Sequence, residues 1–316
     1  MNTVYFLVQQ TMFFSIPLLI VALGGMFSER SGVVNIALEG IMIMGAFSSI
    51  LFINIVQSSG AALPPQLLLL LAAAVGVLVS MAHAYASINM KADQVISGTA
   101  INMFAPAFAI FAARMIRSVQ QIPFSNTFRI TKVPVLGDIP VLGPLLFQNT
   151  YITTYLGFAV LAVSAVVLYK TRFGLRLRAC GEHPQAADSV GVNVYRMRYA
   201  GVAISGALAG VGGLVFVVPT STNFNATVAG YGFLALAVLI FGQWRPSRIL
   251  FAAFFFGLMK TVASAYSGIP FLANLGIPND VYKMVPYVAT LIVLAFTSKN
   301  SMAPRAEGIP YDKGQR

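Results

Sequence analysis

The chain has 316 residues, of which 58% are hydrophobic and 9% are charged. Soluble domains carry roughly 25% charged residues, so this composition excludes a soluble globule and predicts an integral membrane protein. The net charge of +11 does not indicate nucleic-acid binding, because the basic residues lie between apolar runs and form no basic face. In a membrane protein such residues set orientation.

The apolar runs predict an all-α, polytopic transmembrane bundle of about eight to ten helices, since a helix needs about 20 apolar residues to cross a bilayer. Residues 1–316 are expected to form a single domain. One run, Val228–Gly242, is short for a complete crossing, and another, Gly32–Val56, carries polar residues that predict a broken or re-entrant segment. The nine runs are Val4–Phe27, Gly32–Val56, Gln66–Met90, Gln94–Ala113, Asn149–Tyr169, Tyr199–Val218, Val228–Gly242, Ile249–Tyr266 and Val281–Ser298.

Lysine and arginine in short connections predict the orientation of the bundle. Residues 171–198, the turn at 243–248 and the tail at 299–316 are basic and fall on one side if each run crosses once. That side is predicted to be cytoplasmic, which places the N-terminus outside. The loop at 114–148 then lies outside despite its basic residues, and its prolines suit a cap over the outer mouth. The tail is expected to be loosely ordered.

Several polar residues lie in or near the apolar runs, where a charge costs at least about 2.5–3.5 kcal/mol. Asn35 and Glu39 are four residues apart and would share one face of a helix. They are candidates for a polar element in a substrate path or at its inner gate. Gln94 and Asn102 are likewise expected to face protein, water or each other. A second interpretation stays open, in which Glu39 caps a broken helix or binds a partner backbone. His83 has no acid near it in sequence and is expected in a hydrogen-bonded packing role.

Two further stretches near the sixth run are informative. "GVAISGALAGVGG" spaces small residues four apart, which is typical of close helix packing in lipid. "PTSTNFNATVAGYGF" follows it and combines donors and acceptors such as Asn223 with flat apolar surfaces such as Phe224. That mixture suits a ring with hydrogen-bonding edges, and it equally suits a plain outer loop.

The stretch "TRFGLRLRACGEHPQAADSVGVNV" concentrates charge in a chain that otherwise avoids it. Glycines and a proline divide it into short helical turns, and Pro184 stands where a helix tolerates proline, near its start. The sequence predicts a short helix at the membrane surface that docks into a groove on a soluble partner. Its arginines would contact lipid headgroups and acidic partner residues.

Four stretches in chain order resemble the inner-membrane permeases of bacterial ABC importers, in the branch that serves branched-chain amino acids, ribose-type sugars and nucleosides. The turn "QWRPSR" departs from the commoner family form, in which a small polar residue precedes the proline. The four stretches are "ERSGVVNIALEGIMIMGAF", "ADQVISGTAIN", "GLRLRACGEHPQAADSVGVNV" and "GYGFLALAVLIFGQWRPSRILFAAFFFGL".

The resemblance implies a bacterial inner-membrane protein that pairs with a second permease subunit, a cytoplasmic ABC ATPase and a periplasmic or lipoprotein substrate-binding protein. It implies cargo such as a nucleoside or a simple sugar, with riboflavin-like cargo as an alternative, and no catalytic residue, metal or cofactor. By the resemblance, the ATPase-coupling residues are Arg178, Gly181, Glu182, Pro184, Ala187 and Gly191. The substrate-path residues are Asn35, Glu39, Gln94, Asn102, Asn223 and Phe224.

The rival interpretation is an ion-coupled secondary transporter. The dipeptide Gly-Lys never occurs, so the chain has no phosphate-binding P-loop and ATP would be hydrolysed by another chain. A secondary transporter would need buried carboxylates near the membrane midplane, and Glu39 alone qualifies. The sequence therefore favours a permease subunit without enzymatic activity.

Overall fold

A computed structural model describes residues 2–60, 64–125, 128–134, 136–140, 143–265, 278–297 and 301–314. The helices in these ranges are α1 (Asn2–Glu29), α2 (Leu38–Ser58), α3 (Pro65–Ala84, followed by a π-helical turn at Tyr85–Asn89), α4 (Gln94–Arg117), α5 (Ile152–Lys170), α6 (Arg172–Glu182), α7 (Pro184–Ser189), α8 (Val194–Thr220), α9 (Tyr231–Phe241), α10 (Pro246–Ala265) and α11 (Asn279–Thr297). The strands are β1 (Ile122–Pro123), β2 (Arg129–Lys132), β3 (Gln148–Tyr151) and β4 (Asn223–Phe224).

Nine of these helices coincide with the nine predicted apolar runs, which confirms the all-α polytopic bundle. Seven helices in the described ranges are long and apolar enough to cross a membrane. Helix α9 has 11 residues. It is about 16 Å long and too short to cross alone. The predicted ends Tyr266 and Ser298 lie outside the described residues.

Helices α1, α2 and α8 form the centre of the bundle, and α4 is the least buried of the candidate spans. Small residues let α8 approach both α2 and α3 closely. A Cβ atom added at Gly45 in α2 would lie 2.5 Å from the Cα atom of Gly210 in α8, and one added at Gly76 in α3 would meet the carbonyl of Gly206. The predicted role of the small-residue stretch in helix packing is thereby confirmed.

The second apolar run is interrupted, as its polar residues predict. Helix α1 ends at Glu29, and the chain reverses at Gly32, whose φ of +97° suits glycine. Residues 33–37 then re-enter the bundle without helical structure, and α2 begins only at Leu38.

The crossing that follows α8 is interrupted as well. Residues 221–230 leave the end of α8 without helical structure, and β4 within them pairs antiparallel with β1. Ala226 and Ala229 have φ values of +56° and +53° there, in the left-handed region that costs a residue with a Cβ atom about 1–2 kcal/mol. Helix α9 completes this crossing, which explains why its apolar run is short.

The bundle has two distinct ends. Helices α6 and α7, the turn after α9 and residues 301–314 meet at one end, which we call the inner end after the predicted orientation. The strands lie at the opposite, outer end, where β2 pairs with β3. Helix α4 continues to Arg117, so the outer loop begins later than the predicted residue 114.

The prediction of a loosely ordered tail is wrong for its described part. Residues 301–314, which we call the strap, run across the inner end of the bundle. The amide of Ala306 donates to the Gly181 carbonyl over 2.8 Å, and the Gly308 amide donates to the Gly32 carbonyl over 3.2 Å. The guanidinium of Arg198, which is 1% exposed, donates to the Ile309 carbonyl over 3.0 Å. The strap is ordered because its backbone groups have buried partners.

Candidate functional site

The non-helical segment before α2 is held by polar side chains of neighbouring helices. The Gln94 side-chain carbonyl accepts a hydrogen bond from the Val34 amide over 2.7 Å. His83 contacts the Val34 carbonyl at 2.8 Å and the Ser97 hydroxyl at 2.9 Å. Backbone polar groups without helical partners must be satisfied by protein inside a membrane. His83 therefore has the predicted hydrogen-bonded packing role.

Asn102 on α4 forms hydrogen bonds with two backbone groups of the same region. Its carbonyl oxygen accepts from the Gly40 amide over 2.7 Å, and its amide group donates to the Ile36 carbonyl over 2.8 Å. Asn35, which is fully buried, donates to the Ser205 hydroxyl on α8 over 2.8 Å. These two predicted path residues and Gln94 are thus brought together around residues 34–40.

Glu39 joins the two interrupted crossings. One carboxylate oxygen accepts from the Gly230 amide over 2.9 Å and the other from the Gly232 amide over 2.6 Å, at the N-terminus of α9. A carboxylate is favoured there because the first amides of a helix lack partners and carry partial positive charge. We call this contact between residues 33–40 and α9 the junction. The arrangement matches the second interpretation of Glu39, that of a helix cap.

A cavity of about 460 Å³ lies beside the junction. Val34 and Ile36 line it from the first interrupted crossing, and Leu236 and Ile240 line it from α9. Its volume falls in the range of roughly 300–1,000 Å³ that is typical of small-molecule sites. Apolar side chains on two discontinuous elements therefore line one side of an open space of the size of a small solute. The remaining lining lies toward the inner end and includes Glu29, Gln243, Trp244 and Glu307.

Asn223 and Phe224 lie apart from the other predicted path residues. They follow the outer end of α8, which is 15 residues, or about 22 Å, beyond Ser205 along the helix axis. Asn223 lines an outer cavity of about 540 Å³ together with Asn225, Thr220 and Thr222. Phe224 is 2% exposed and its ring contacts that of Phe47, so it packs inside the bundle.

The charged loop forms two short helices, α6 and α7, whose starts are capped. The Thr171 hydroxyl accepts from the Gly174 amide over 3.1 Å, and the His183 ring accepts from the Ala186 amide over 3.3 Å. Pro184 is the first residue of α7, where a missing N–H group costs nothing. The predicted division into short helical turns is confirmed.

The predicted coupling residues mostly face the bundle. Gly181, Pro184 and Ala187 are buried, and Gly191 forms the turn after α7 with a φ of +83°. The Arg178 guanidinium lies 5.0 Å from the ring centroid of Tyr169, and Glu182 lies 3.5 Å from Arg30. These residues fix the position of α6 and α7. The side chains left on the outer surface include Gln185, Ala186 and Val190.

Cys180, the single cysteine, is expected to be unreactive in the folded protein. It is fully buried in α6, and burial raises the pKa of its thiol to about 11. The thiolate is the nucleophile, so maleimide labelling at pH 7.5 should be negligible in mild detergent and complete after denaturation. Rapid labelling of the folded chain would contradict this placement of α6.

Sequence reasoning missed a set of contacts at the inner end. The Trp244 indole donates to the Glu29 carboxylate, and Arg30 donates to the Trp244 carbonyl over 3.2 Å. The strap residue Glu307 lies next to Glu29. Burial raises the pKa of the Glu307 carboxyl, while Glu29 and Arg30 oppose that shift. No sequence pattern signals these contacts, because their partners are up to 278 positions apart.

The sequence of the chain is similar to the sequences of several transporter permease proteins. The chain is 47% identical to the guanosine ABC transporter permease protein NupQ of Bacillus subtilis, over 98% of this chain and 97% of the relative. It is 42% identical to the nucleoside ABC transporter permease protein NupC of Lactococcus lactis, over 99% of both. A second L. lactis protein, the nucleoside ABC transporter permease protein NupB, is 27% identical over 93% of this chain and 80% of the relative. No solved structure matches the chain.

The family model described as branched-chain amino acid transport system / permease component matches residues 7–294. That range includes all nine apolar helices except the first residues of α1 and the last residues of α11, and it includes α6 and α7. The chain is therefore a member of this family of ABC transporter permease components.

Proposed function

We propose that the chain is one of two permease subunits of an ATP-driven nucleoside importer in the inner membrane of a bacterium. The observation that carries the proposal is the 47% identity, over nearly the whole chain, to a guanosine transporter permease. The junction and the cavity beside it lie in a bundle with seven helices that are long and apolar enough to cross a membrane, among the residues that the structure describes. The inner end faces the cytoplasm, in agreement with its basic connections.

The nucleoside path runs beside the junction. Discontinuous membrane segments provide the substrate sites of many transporters, because their exposed backbone ends and freedom to shift suit ligand binding. The cavity of about 460 Å³ there has an apolar side, formed by Val34, Ile36, Leu236 and Ile240, that suits a nucleobase. Toward the inner end its lining is polar and includes Glu29 and Glu307. Asn35, Glu39, Gln94 and Asn102 position this element through hydrogen bonds, so we assign them a positioning role along the path. Asn223 belongs to an outer vestibule, and Phe224 supports it from within.

The proposed route explains why an ion-coupled mechanism is disfavoured. Glu39 is the acid that a secondary transporter would use, and both of its carboxylate oxygens already accept backbone hydrogen bonds. Binding a coupling ion or a proton there would compete with the cap of α9. An external ATPase supplies the energy instead.

The coupling contact lies on α6 and α7. The predicted coupling residues hold these helices on the bundle: Arg178, Gly181, Glu182, Pro184, Ala187 and Gly191. A movement of the helices is therefore transmitted to α5, α8 and the strap, which they contact. The surface offered to the cytoplasmic ATPase consists of the outward side chains of α7 and the turn after it.

Two further partners complete the importer. NupB and NupC are both named nucleoside permeases in one organism and both resemble this chain, which supports a pair of different permease subunits. A periplasmic or lipoprotein binding protein would release its nucleoside at the outer vestibule, where Asn223 and Asn225 provide hydrogen-bonding groups.

Uptake into proteoliposomes holding the chain, its partner permease, the ATPase and the binding protein tests this function. We expect radiolabelled guanosine to accumulate only when ATP is present on the ATPase side. Addition of a protonophore, which removes any proton gradient, should not prevent this accumulation. Uptake that follows a proton or sodium gradient without ATP would establish the rival mechanism. Uptake of ribose with no uptake of any nucleoside would overturn the assigned cargo.

Val190 tests the coupling surface. Its side chain is 78% exposed directly after α7, so it makes few contacts within the chain. Val190→Asp should lower the amount of ATPase that copurifies with the permease by at least about tenfold, because a charge would be buried at a central position of the interface. Ile139→Asp changes an exposed apolar residue of the outer loop in the same way and should retain the ATPase fully. Equal retention in both variants would exclude this surface.

A further inference from the structure

Four arginines surround a cavity at the inner end that no transport role described above uses. The cavity has a volume of about 670 Å³, and we call it the arginine pocket. It lies between the end of α5, α6, the start of α10 and the strap. Its basic lining residues are Arg30, Arg178, Arg245 and Arg305, and its acidic lining residue is Glu182.

The positive charges of the pocket are only partly compensated. Glu182 pairs with Arg30 at 3.5 Å, and no ion pair forms at Arg245 or Arg305 within the described part of the chain. The Nε atom of Arg30 is buried without a hydrogen-bond partner there. Burial lowers the pKa of Arg30, and the charges of Arg178 and Arg245 act in the same direction. Such crowding of like charges is relieved by an anion.

The start of α10 adds to the attraction for an anion. Pro246 and Ser247 are the first residues of this 20-residue helix, and both line the pocket. The unpaired amides of a helix N-terminus favour negative charge, and planar guanidinium groups match the oxygens of a phosphate.

The pocket also adjoins the lipid-facing surface. Ala165 of α5 and Ser247 of α10 line it, and each lies seven residues, about 10 Å, from a ring of a stacked pair formed by Phe158 and Phe254. Helices α5 and α10 therefore lie side by side from the pocket into the membrane. Phe251 on α10 is 73% exposed, so the outer surface of this helix pair is apolar there.

We propose that the arginine pocket binds the phosphate of an anionic phospholipid of the inner leaflet, with the acyl chains lying along α5 and α10. Basic pockets between membrane helices on the cytoplasmic side suit such headgroups. A lipid fits better than a soluble anion because the pocket lies at the inner ends of α5 and α10, and these neighbouring helices expose the apolar rings of Phe158 and Phe251 beyond it. The bound lipid would tie α6, the α9–α10 turn and the strap together at the membrane surface.

Native mass spectrometry of the purified full chain tests the proposal, with phosphatidylglycerol or phosphatidylcholine added to the detergent. We expect one tightly held phosphatidylglycerol per chain and no comparable phosphatidylcholine. The double variant Arg245→Gln/Arg305→Gln should weaken phosphatidylglycerol binding about 10- to 30-fold, at about 1 kcal/mol for each cation. Arg248→Gln removes the same charge from the first turn of α10 outside the pocket lining, and it should bind normally.

The other outcomes separate the alternatives. If inorganic phosphate alone protects the chain against heat as well as phosphatidylglycerol does, the occupant is a soluble anion and the proposal fails. If the double variant keeps its lipid and loses the ATPase, the pocket serves an acidic protein segment and the proposal fails. The charge-preserving Arg245→Lys/Arg305→Lys variant should regain lipid binding, which shows that any loss in the glutamine variant is not misfolding.

Discussion

Glu39→Ala is expected to abolish nucleoside uptake and to lower the stability of the folded chain by about 2–6 kcal/mol, since each buried group left unpaired costs about 1–3 kcal/mol. The substitution leaves the Gly230 and Gly232 amides without an acceptor inside the bundle. Helix α9 loses its cap, and the two interrupted crossings lose the hydrogen bonds of the junction. The midpoint of thermal unfolding in detergent and ATP-driven uptake by the reconstituted importer measure both effects.

Glu39→Gln separates capping from ion coupling. The glutamine keeps one acceptor and places an NH₂ group against the other backbone amide, so we expect an intermediate loss of stability and a matching loss of uptake. Asp138→Ala, in the outer loop, removes an exposed carboxylate whose partner is the exposed Lys132. An exposed ion pair contributes about 0–1 kcal/mol, so this control should change stability and uptake very little. A Glu39→Gln variant of normal stability and no uptake would assign the carboxylate to the transport chemistry itself.

Asn102→Leu is the second substitution with a large expected effect. Leucine has a similar size and cannot pair with the amide of the buried Gly40 or with the carbonyl of the half-buried Ile36. At about 1–3 kcal/mol for each orphaned group, the chain should lose about 2–6 kcal/mol of stability. We expect little protein in the membrane at 37 °C and partial recovery of both abundance and uptake at low temperature.

Thr99→Ala provides the matched control for Asn102→Leu. Thr99 is exposed on the same helix, and its hydroxyl bonds only to the Val95 carbonyl of its own helix. Its loss should change stability and uptake very little. If Asn102→Leu were as stable as Thr99→Ala, the hydrogen bonds to residues 36–40 would not hold the interrupted crossing in place.

The sequence predicts the number and type of the membrane helices well, because each run of about 20 apolar residues has one low-energy structure in a bilayer. It also predicts the interruption of the second crossing, since Gly32, Asn35 and Glu39 stand where an unbroken helix would bury polar groups. Asn35, Gln94 and Asn102 are correctly singled out as residues that must face protein or water. What they face is not predictable, because Gln94 and Asn102 pair with backbone groups and Asn35 pairs with a serine 170 positions away.

Backbone partners also explain the two largest surprises. Glu39 binds amides about 190 positions away, and every residue type has an amide, so no pattern at Gly230 or Gly232 marks them as partners. The polar composition of residues 301–314 suggests disorder, because the backbone groups that hold this segment in place are also unmarked in the sequence. Their order depends on carbonyls and amides at Gly32 and Gly181, and on a buried arginine whose need for an acceptor is invisible in the sequence.

The position of the strap after α11 in the sequence has a consequence for biosynthesis. A ribosome makes residues 301–314 after all the membrane helices that the structure describes. Until then the Arg198 guanidinium lacks the Ile309 carbonyl, and the floor of the bundle beneath Gly32 and Gly181 is open. The inner end of the bundle therefore closes only after the strap has been made, and a chain that stops after α11 would leave the Arg198 guanidinium without this acceptor.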